Sequence, residues 1–577
     1  MPEESSTFII IPTILKSKEK VEELMKKLEV YYLANKSDNL YFALLGDAST
    51  SKSKEEQFDT EVIEEGKKQA AALNKKYSSD FPKFHFLYRK RKWNQKETAY
   101  LGWERKRGLI TEFNSFLLNP ASDDFRENTL RNKKIPKITY VITLDADTNL
   151  VLNSGLELIG TIAHILNKPI LSKDKTKVEL GHGIIQPRVG VTLEDAHKSY
   201  FSKIFAGSGG TDLYTNALSD VYQDNFEEGI FTGKGIYDLK VFHKVLENQI
   251  PENTVLSHDL LEGSYLRVAL ATDILVLDGY PAKYNSFMTR LSRWTRGDWQ
   301  IARWLNKSII DKNGNKTENP LGTLSKFKIL DNLRRSLIPI AALISIILGI
   351  SSINVLLAVG LICVFAPTIL EILNVIIFKK ELATDSIIAN RNFISETNKI
   401  SESVIRGILE LAFLPYKAFL LSQHIVKTIY RMKVTKAHLL EWQTAEEAEK
   451  QAKTDLASYY KQMNVQVIIG IITFIAVGLW GNSAFIYLLG IVLASIWLVA
   501  PFYAWQISKP FPKENKLNSL NEEEKEHLKE IAKRTWQYFN LFINEENNFL
   551  PPDNFEEARK VQVAPRTSPT NIGLRAS

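Results

Sequence analysis

The sequence predicts an α/β protein, with a doubly wound, Rossmann-like domain followed by about four transmembrane helices and interfacial helices. Three observations carry this reading. Strand-like and helix-like segments alternate from Phe8 to Leu144, two long runs nearly free of charge follow, and two early strands end in aspartate. Phe8 to Ile11 has the unbroken apolar character of a buried strand, and Ser17 opens a helix with Val21, Leu24, Leu28 and Tyr31 at helical spacing. A second strand at Leu40 to Leu45, a polar helix over Glu55 to Tyr77 and a third strand at Phe84 to Tyr88 come next. A helix through Trp103 to Leu118 then leads to a fourth strand at Ile138 to Leu144. This order predicts a mostly parallel sheet, which binds its ligand at the carboxyl ends of the strands. There the second strand runs into Gly46-Asp47 and the fourth into Asp145-Ala146-Asp147.

A chain of 577 residues, 45% of them hydrophobic, has material for about three or four units. The net charge of +7 is dispersed, and the basic run Arg89 to Lys92 lacks interleaved aromatics, so it reads as a solvated or lipid-facing edge and no nucleic acid partner is expected. The single cysteine, Cys363, lies in an apolar run, which excludes a disulfide framework or thiolate metal cluster and suits a reducing compartment. Met1 to Thr7 is polar and acidic and passes directly into a strand, so no signal peptide is expected.

Between Ser336 and Phe378 the only charge is Glu371, and between Val465 and Ile507 there is none. Each run holds two spans of about 20 residues. We expect two hairpins, turning near Gly349 to Asn354 and near Trp480 to Ser483, with Glu371 at the inner boundary of the second span. The inner flanks carry Arg334, Arg335, Lys379, Lys380, Lys427, Arg431, Lys433, Lys436 and Lys509, whereas the outer turns carry no Lys or Arg. This asymmetry places the N-terminal part in the cytoplasm, against the inner membrane. Between the hairpins, Ser403 to Met432 mixes apolar residues with Arg406, Lys417, Lys427 and Arg431. It reads either as helices lying in the bilayer interface, split at Pro415, or as a helix pair packed on the soluble domain.

The candidate chemistry lies at the strand ends and in a later segment. Asp145 and Asp147 can point to one side of the sheet edge and share a hard divalent cation, Mg²⁺ or Mn²⁺, which in turn holds a diphosphate; helix capping is the ordinary alternative for such acids. Asp47 is placed to touch a base or ribose. Leu256 to Glu262 supplies a second acidic centre, followed by Arg290-Leu291-Ser292-Arg293-Trp294-Thr295-Arg296-Gly297-Asp298-Trp299-Gln300. Transfer to a sugar hydroxyl needs a carboxylate base, cations for a departing diphosphate and an aromatic platform. Asp259 is the candidate base, Arg293 and Arg296 are the phosphate partners, and Trp294 or Trp299 is the platform. A basic stem packed on the membrane surface is the competing explanation for Arg296 and Trp299.

An ordered set of motifs adds to these readings. It comprises Tyr31-Tyr32-Leu33-Ala34-Asn35, Gly102-Trp103-Glu104-Arg105-Lys106-Arg107-Gly108, Thr143-Leu144-Asp145-Ala146-Asp147-Thr148, Gln186-Pro187-Arg188-Val189, Val221-Tyr222-Gln223-Asp224, Phe231-Thr232-Gly233-Lys234-Gly235-Ile236-Tyr237-Asp238 and the two segments above. Together they resemble the glycosyltransferase core of the cyclic β-1,2-glucan synthases, themselves similar in pattern to the processive cellulose-synthase-like enzymes. The resemblance implies an A-type glycosyltransferase fold, UDP-glucose as donor, a growing glucan as acceptor, Mg²⁺ or Mn²⁺ as cofactor and inversion at the anomeric carbon. It maps Asp47, Asp145 and Asp147, Asp259, and Arg293-Trp294 onto the family motifs. Ser257-His258 stands where the wider family has Thr-Glu, and Arg290 where it has Gln. It further implies that Gly233, Lys234 and Gly235 floor the acceptor site and that Lys106 and Arg107 contact the nucleotide.

Asn521 to Phe542 reads as a helix with Asn521 and Glu524 in a capping arrangement. Asn548 to Phe555 and Arg566 to Gly573 resemble the opening of the glucoamylase-like domain of the same synthases, so the chain is expected to be a fragment whose missing partners are glucoamylase-like and phosphorylase-like domains. The expected organisation is a cytoplasmic transferase domain over 1–330, hairpins over 331–380 and 465–508, interfacial helices over 381–464, and a linker with a truncated domain over 509–577. Alternatives are a membrane transferase making another β-glycan or a glycolipid, and a degenerate nucleotide-sugar-binding subunit.

Overall fold

Strands buried on both faces give a sheet its centre. Among Phe8 to Ile11, Phe8 and Ile10 enter the core on one face while Ile9 and Ile11 enter the core on the other, and all four are fully buried. At about 1.5–3 kcal/mol for each fully buried side chain of this size, such strands bind the two helical layers together. The computed structural model describes residues 1–206, 220–351, 354–378, 386–441, 449, 452–481, 483–511, 520–556 and 562–576. They form two units, Met1–Pro510 and Phe511–Ser577.

The first unit contains a nine-stranded sheet. Its strands are β1 (Thr7–Leu15), β2 (Leu40–Ala48), β3 (Phe84–Arg89), β4 (Phe125–Asn128), β5 (Tyr140–Thr143), β6 (Asn149–Leu150), β7 (Ile184–Val191), β8 (Gly235–Asp238) and β9 (Val268–Asp278). Across the sheet the order is β4-β3-β2-β1-β5-β8-β7-β9-β6. The four strands expected from the sequence, β1, β2, β3 and β5, are mutually parallel. Beyond them the expectation of a mostly parallel sheet is corrected. The short strand β8 pairs antiparallel with both β5 and β7, β9 is parallel to β7, and β4 and β6 form antiparallel edges. Two reversals at β8 return β7 and β9 to the direction of β1, so the ends of β2, β5 and β9 share one edge.

Helices α1 (Lys18–Ala34), α2 (Gln57–Lys76), α3 (Arg105–Leu118) and α4 (Ser154–Ala163) follow their strands. Ser17 caps α1 by accepting a hydrogen bond from the Lys20 amide, as its position before the periodic run predicts. Helices α5 (Leu239–Leu246), α6 (Asp259–Leu266) and α7 (Tyr284–Ile301) follow in the same sheet-bearing part.

Helix α8 (Thr323–Ser351) runs uninterrupted through residue 330 into the first apolar run, and α9 (Asn354–Phe378) returns. The turn residues Ser352, Ile353 and Asn482 and the basic pair Lys379-Lys380 lie outside the described residues. A long helix, α10 (Ser386–Tyr430), precedes α11 (Leu456–Gln462), α12 (Asn464–Trp480) and α13 (Ala484–Ile507). Among the described residues, three helical stretches are long and apolar enough to cross a membrane: Thr323–Ile350, Val355–Leu373 and Ala484–Ile507. The fourth expected span, α12, reaches that length only together with α11, from which it bends by 67°. Glu371 pairs with Arg406 of α10 at 2.6 Å, so the one acid of the first run is neutralised from the neighbouring helix.

Pro415 does not split α10, contrary to expectation. Proline has no amide hydrogen, so the Leu411 carbonyl loses its helical donor, and Trp497 of α13 donates its indole N–H to that carbonyl at 3.0 Å. Gln466 of α12 inserts its amide beside the break. Its Nε2 donates to the Ala412 carbonyl at 2.6 Å and its Oε1 accepts from the Tyr416 amide at 3.2 Å. Neighbouring helices thus satisfy the groups that proline disrupts. Gln466→Leu should cost about 1–3 kcal/mol by leaving buried polar groups unpaired. A fall of several degrees in the melting temperature of the detergent-solubilised protein checks this, whereas an unchanged value would show that the helix ladder closes without Gln466.

Helix α7 joins the soluble part to this bundle. Tyr284 and Met288 pack with Ala412, Phe413 and Tyr416 of α10, Tyr459 of α11 and Met463 just after it, and Ala500 and Ala504 of α13. In the second unit, α14 (Glu522–Phe542) begins at the expected capping box between Asn521 and Glu524.

Candidate active site

The shared edge of β2, β5 and β9 gathers acids and the cations that face them. After β5, Asp145 has both carboxylate oxygens engaged: Lys106 Nζ lies 2.5 Å from Oδ1 and Lys234 Nζ 3.1 Å from Oδ2. Burial alone would raise the Asp145 carboxyl, but the two ammonium groups outweigh it and hold it well below the usual carboxylate range. Lys106 also donates to the Gly233 carbonyl at 3.2 Å. Two predicted cations, Lys106 and Lys234, therefore meet at one predicted acid.

Asp147 differs from Asp145. Its side chain makes no hydrogen bond or ion pair among the described residues and is exposed to the cleft. Protein encloses it on its other sides, and this burial, with the carboxylates of Asp278 and Asp145, pushes its proton affinity up. Asp278, the last residue of β9, is 2% exposed, accepts a hydrogen bond from Thr148 Oγ1 at 2.5 Å and pairs with Lys234 at 2.9 Å. The sequence reading missed Asp278. The signal was present, since an apolar stretch ending in Asp-Gly mirrors the acid-bearing ends of the second and fourth strands. An exposed, unpaired carboxylate beside a second carboxylate fits a hard divalent cation, and Asp147 meets that description better than Asp145 does.

At the end of β2, Asp47 accepts from Arg89 Nε at 2.7 Å through Oδ1, while Oδ2 is buried without a hydrogen-bond partner among the described residues. Arg89 is held in turn by the Trp103 and Arg105 carbonyls. A Cβ at Gly102 would fall 2.0 Å from Asp47 Oδ1, so glycine is required where this chain passes the pair. The unsatisfied oxygen is an acceptor suited to an N–H or O–H of a nucleoside.

Asp259 is the first residue of α6, and its Oδ1 has no hydrogen-bond partner among the described residues. Gly233, at φ +85°, lies against it; a Cβ there would sit 2.7 Å from that oxygen in a backbone conformation that other residues rarely adopt. Gly235, at φ +154°, is equally confined, since a Cβ would meet the Ile185 carbonyl at 2.3 Å. His258 Nδ1 stands 2.9 Å from Glu262 Oε1 and 3.7 Å from Asp259 Oδ1. Burial opposes its protonation, but the carboxylates of Glu262 and Asp259 outweigh burial and raise its pKa.

Helix α7 contributes Arg293, whose pKa is pushed down to about 10 by burial and Arg290 against the pull of Asp145 and Asp147. The Arg290 guanidinium stacks over the Trp294 ring at 5.0 Å. Three predicted residues are placed elsewhere. Arg296 donates to the Glu441 carbonyl and faces its carboxylate at 3.8 Å, because α7 turns this side toward the segment that follows α10. Trp299 donates its indole N–H to Ser336 of α8 at 3.0 Å, which makes it a tie between helices. Arg107 pairs with Glu104 at 2.5 Å and lines a separate small cavity with Trp103 and Lys312. The segment facing Arg296 is itself docked on the soluble part. Gln300 donates to the Leu439 carbonyl at 2.9 Å, and the Leu440 amide donates to Glu97 at 2.9 Å.

The mixed sheet carries this acidic edge and is joined through α7 to the apolar helices. No family model matches the chain. Over its full length, 579 aligned positions, it is 36% identical to the cyclic β-(1,2)-glucan synthase NdvB of Rhizobium meliloti (strain 1021). It spans 20% of the length of that protein. The chain is a homologue of the cyclic β-1,2-glucan synthases, and the resemblance read from its motifs extends from end to end.

Proposed function

We propose that this chain is the membrane-bound core that transfers glucose from UDP-glucose to a growing β-1,2-glucan with inversion, its soluble part facing the cytoplasm from the inner membrane. The observation that carries the reading is the approach of Asp259, with its unpartnered oxygen, to the Gly233–Lys234 loop that also reaches Asp145. Base and leaving-group cations thereby flank one cleft. Asp47 takes the nucleoside through its free oxygen. Asp259 removes the proton from the acceptor hydroxyl, whose oxygen forms the new bond to the anomeric carbon as the bond to the diphosphate breaks. Lys234 and Arg293 receive the negative charge that moves onto the departing diphosphate. Asp147 would hold Mg²⁺ or Mn²⁺, which when bound supplies further charge stabilisation to the diphosphate. Trp294, kept in place by Arg290, offers an apolar face to the acceptor sugar.

Helix α7 carries Arg290, Arg293 and Trp294 and is rooted among α10, α11 and α13. This rooting suits an acceptor that leaves along the membrane helices. Labelled glucose should be incorporated from UDP-glucose by the detergent-purified chain with Mn²⁺ or Mg²⁺, and other nucleotide sugars should compete poorly. Preferred use of a different nucleotide sugar would overturn the donor assignment, and a glycolipid product would replace glucan as the acceptor class.

A further inference from the structure

Lys234 is held by more than its partner in the Asp-x-Asp motif. Its ammonium lies 3.1 Å from Asp145 Oδ2 after β5 and 2.9 Å from Asp278 Oδ2 at the end of β9. An ammonium with a single carboxylate partner pivots about it on a flexible stem, whereas two carboxylates from separate strands fix its position. An ammonium carries three N–H donors, so two carboxylate neighbours do not exhaust its capacity for a ligand. Asp278 is itself anchored, with Thr148 donating to its other oxygen at 2.5 Å. Resting on the proposed function, we propose that Asp278 is a positioning residue that fixes the Lys234 ammonium for the diphosphate of a nucleoside diphosphate, and that it acts through Lys234.

The test is equilibrium binding of UDP and UMP, with Mn²⁺ held constant, to the detergent-purified full chain and to Asp278→Asn, Lys234→Gln and the double variant. Asparagine keeps the shape of the side chain and an oxygen for Thr148, and thermal melts report folding. The preference for UDP over UMP should fall about tenfold in each single variant, the size of one charge-assisted hydrogen bond, and no further in the double. Thr148→Val, which cuts only the anchor, should leave the preference within about twofold, since most of an ordinary hydrogen bond's net worth is small. Additive losses in the double variant would overturn the proposal. So would an equal loss in Thr148→Val, or a loss of Mn²⁺ affinity in Asp278→Asn that Lys234→Gln does not share. A wild-type chain that does not distinguish UDP from UMP would instead overturn the transferase reading on which the proposal rests.

Discussion

Asp259→Asn should lower glucose transfer by about 10²–10⁴-fold, the range for loss of a positioned general base, with little change in UDP affinity. The change is isosteric, and the oxygen it affects has no hydrogen-bond partner to lose. Fold and nucleotide site should therefore persist while proton removal fails. His258 Nδ1 lies 3.7 Å from Asp259 Oδ1, so a second titratable group stands beside this carboxylate. Steady-state rates beside a UDP-binding isotherm check the prediction. A parallel loss of rate and UDP affinity would show that Asp259 holds the donor, and an unchanged rate would remove it as the base.

Asp147→Asn should act on the metal. Loss of a ligand is expected to weaken Mn²⁺ affinity by at least the roughly 10–100-fold seen for supporting residues, with transfer falling accordingly. Without metal, the Asp147→Asn variant should melt at a higher temperature than the wild type. Burial and the carboxylates of Asp278 and Asp145 disfavour a charge on Asp147, which has no ion pair among the described residues, and asparagine removes that charge. Asp145→Asn should behave differently, because it strips Lys106 and Lys234 of a shared counter-charge and should lower the melting temperature. Calorimetric Mn²⁺ titration and thermal melts separate the two; identical behaviour of both variants would contradict the division of labour between the two acids.

Local pattern made half of the sheet and the acidic edge legible. Phe8 to Ile11 and Leu40 to Leu45 could only be buried strands, and an acid following such a strand lies at the ligand edge. Pattern does not encode pairing between distant segments. Gly235–Asp238 forms a four-residue strand too short to show periodicity, yet its two antiparallel pairings make the sheet mixed. The meeting of Lys106, Lys234 and Asp145 joins three segments through tertiary packing, so the sequence could name the residues without showing that both lysines share one acid. Asp278 escaped because β9 carries Thr272 and Asp273 in its middle, where a register shift against β7 interrupts the alternation. Arg296 and Trp299 sit on the same helix as Arg293 and Trp294, but three to five residues of helix turn them toward α8 and the segment after α10. Pro415 was read by its intrinsic tendency to break helices, which Gln466 and Trp497 override from neighbouring helices.

The most direct test is the configuration and linkage of the sugar bond that this chain makes, read by NMR of the product formed from labelled UDP-glucose. The account predicts β-configured glucose joined through position 2. An α-configured product would mean net retention and would contradict a single displacement with Asp259 as base, and a β-product joined at another position would contradict the glucan assignment while leaving the mechanism standing.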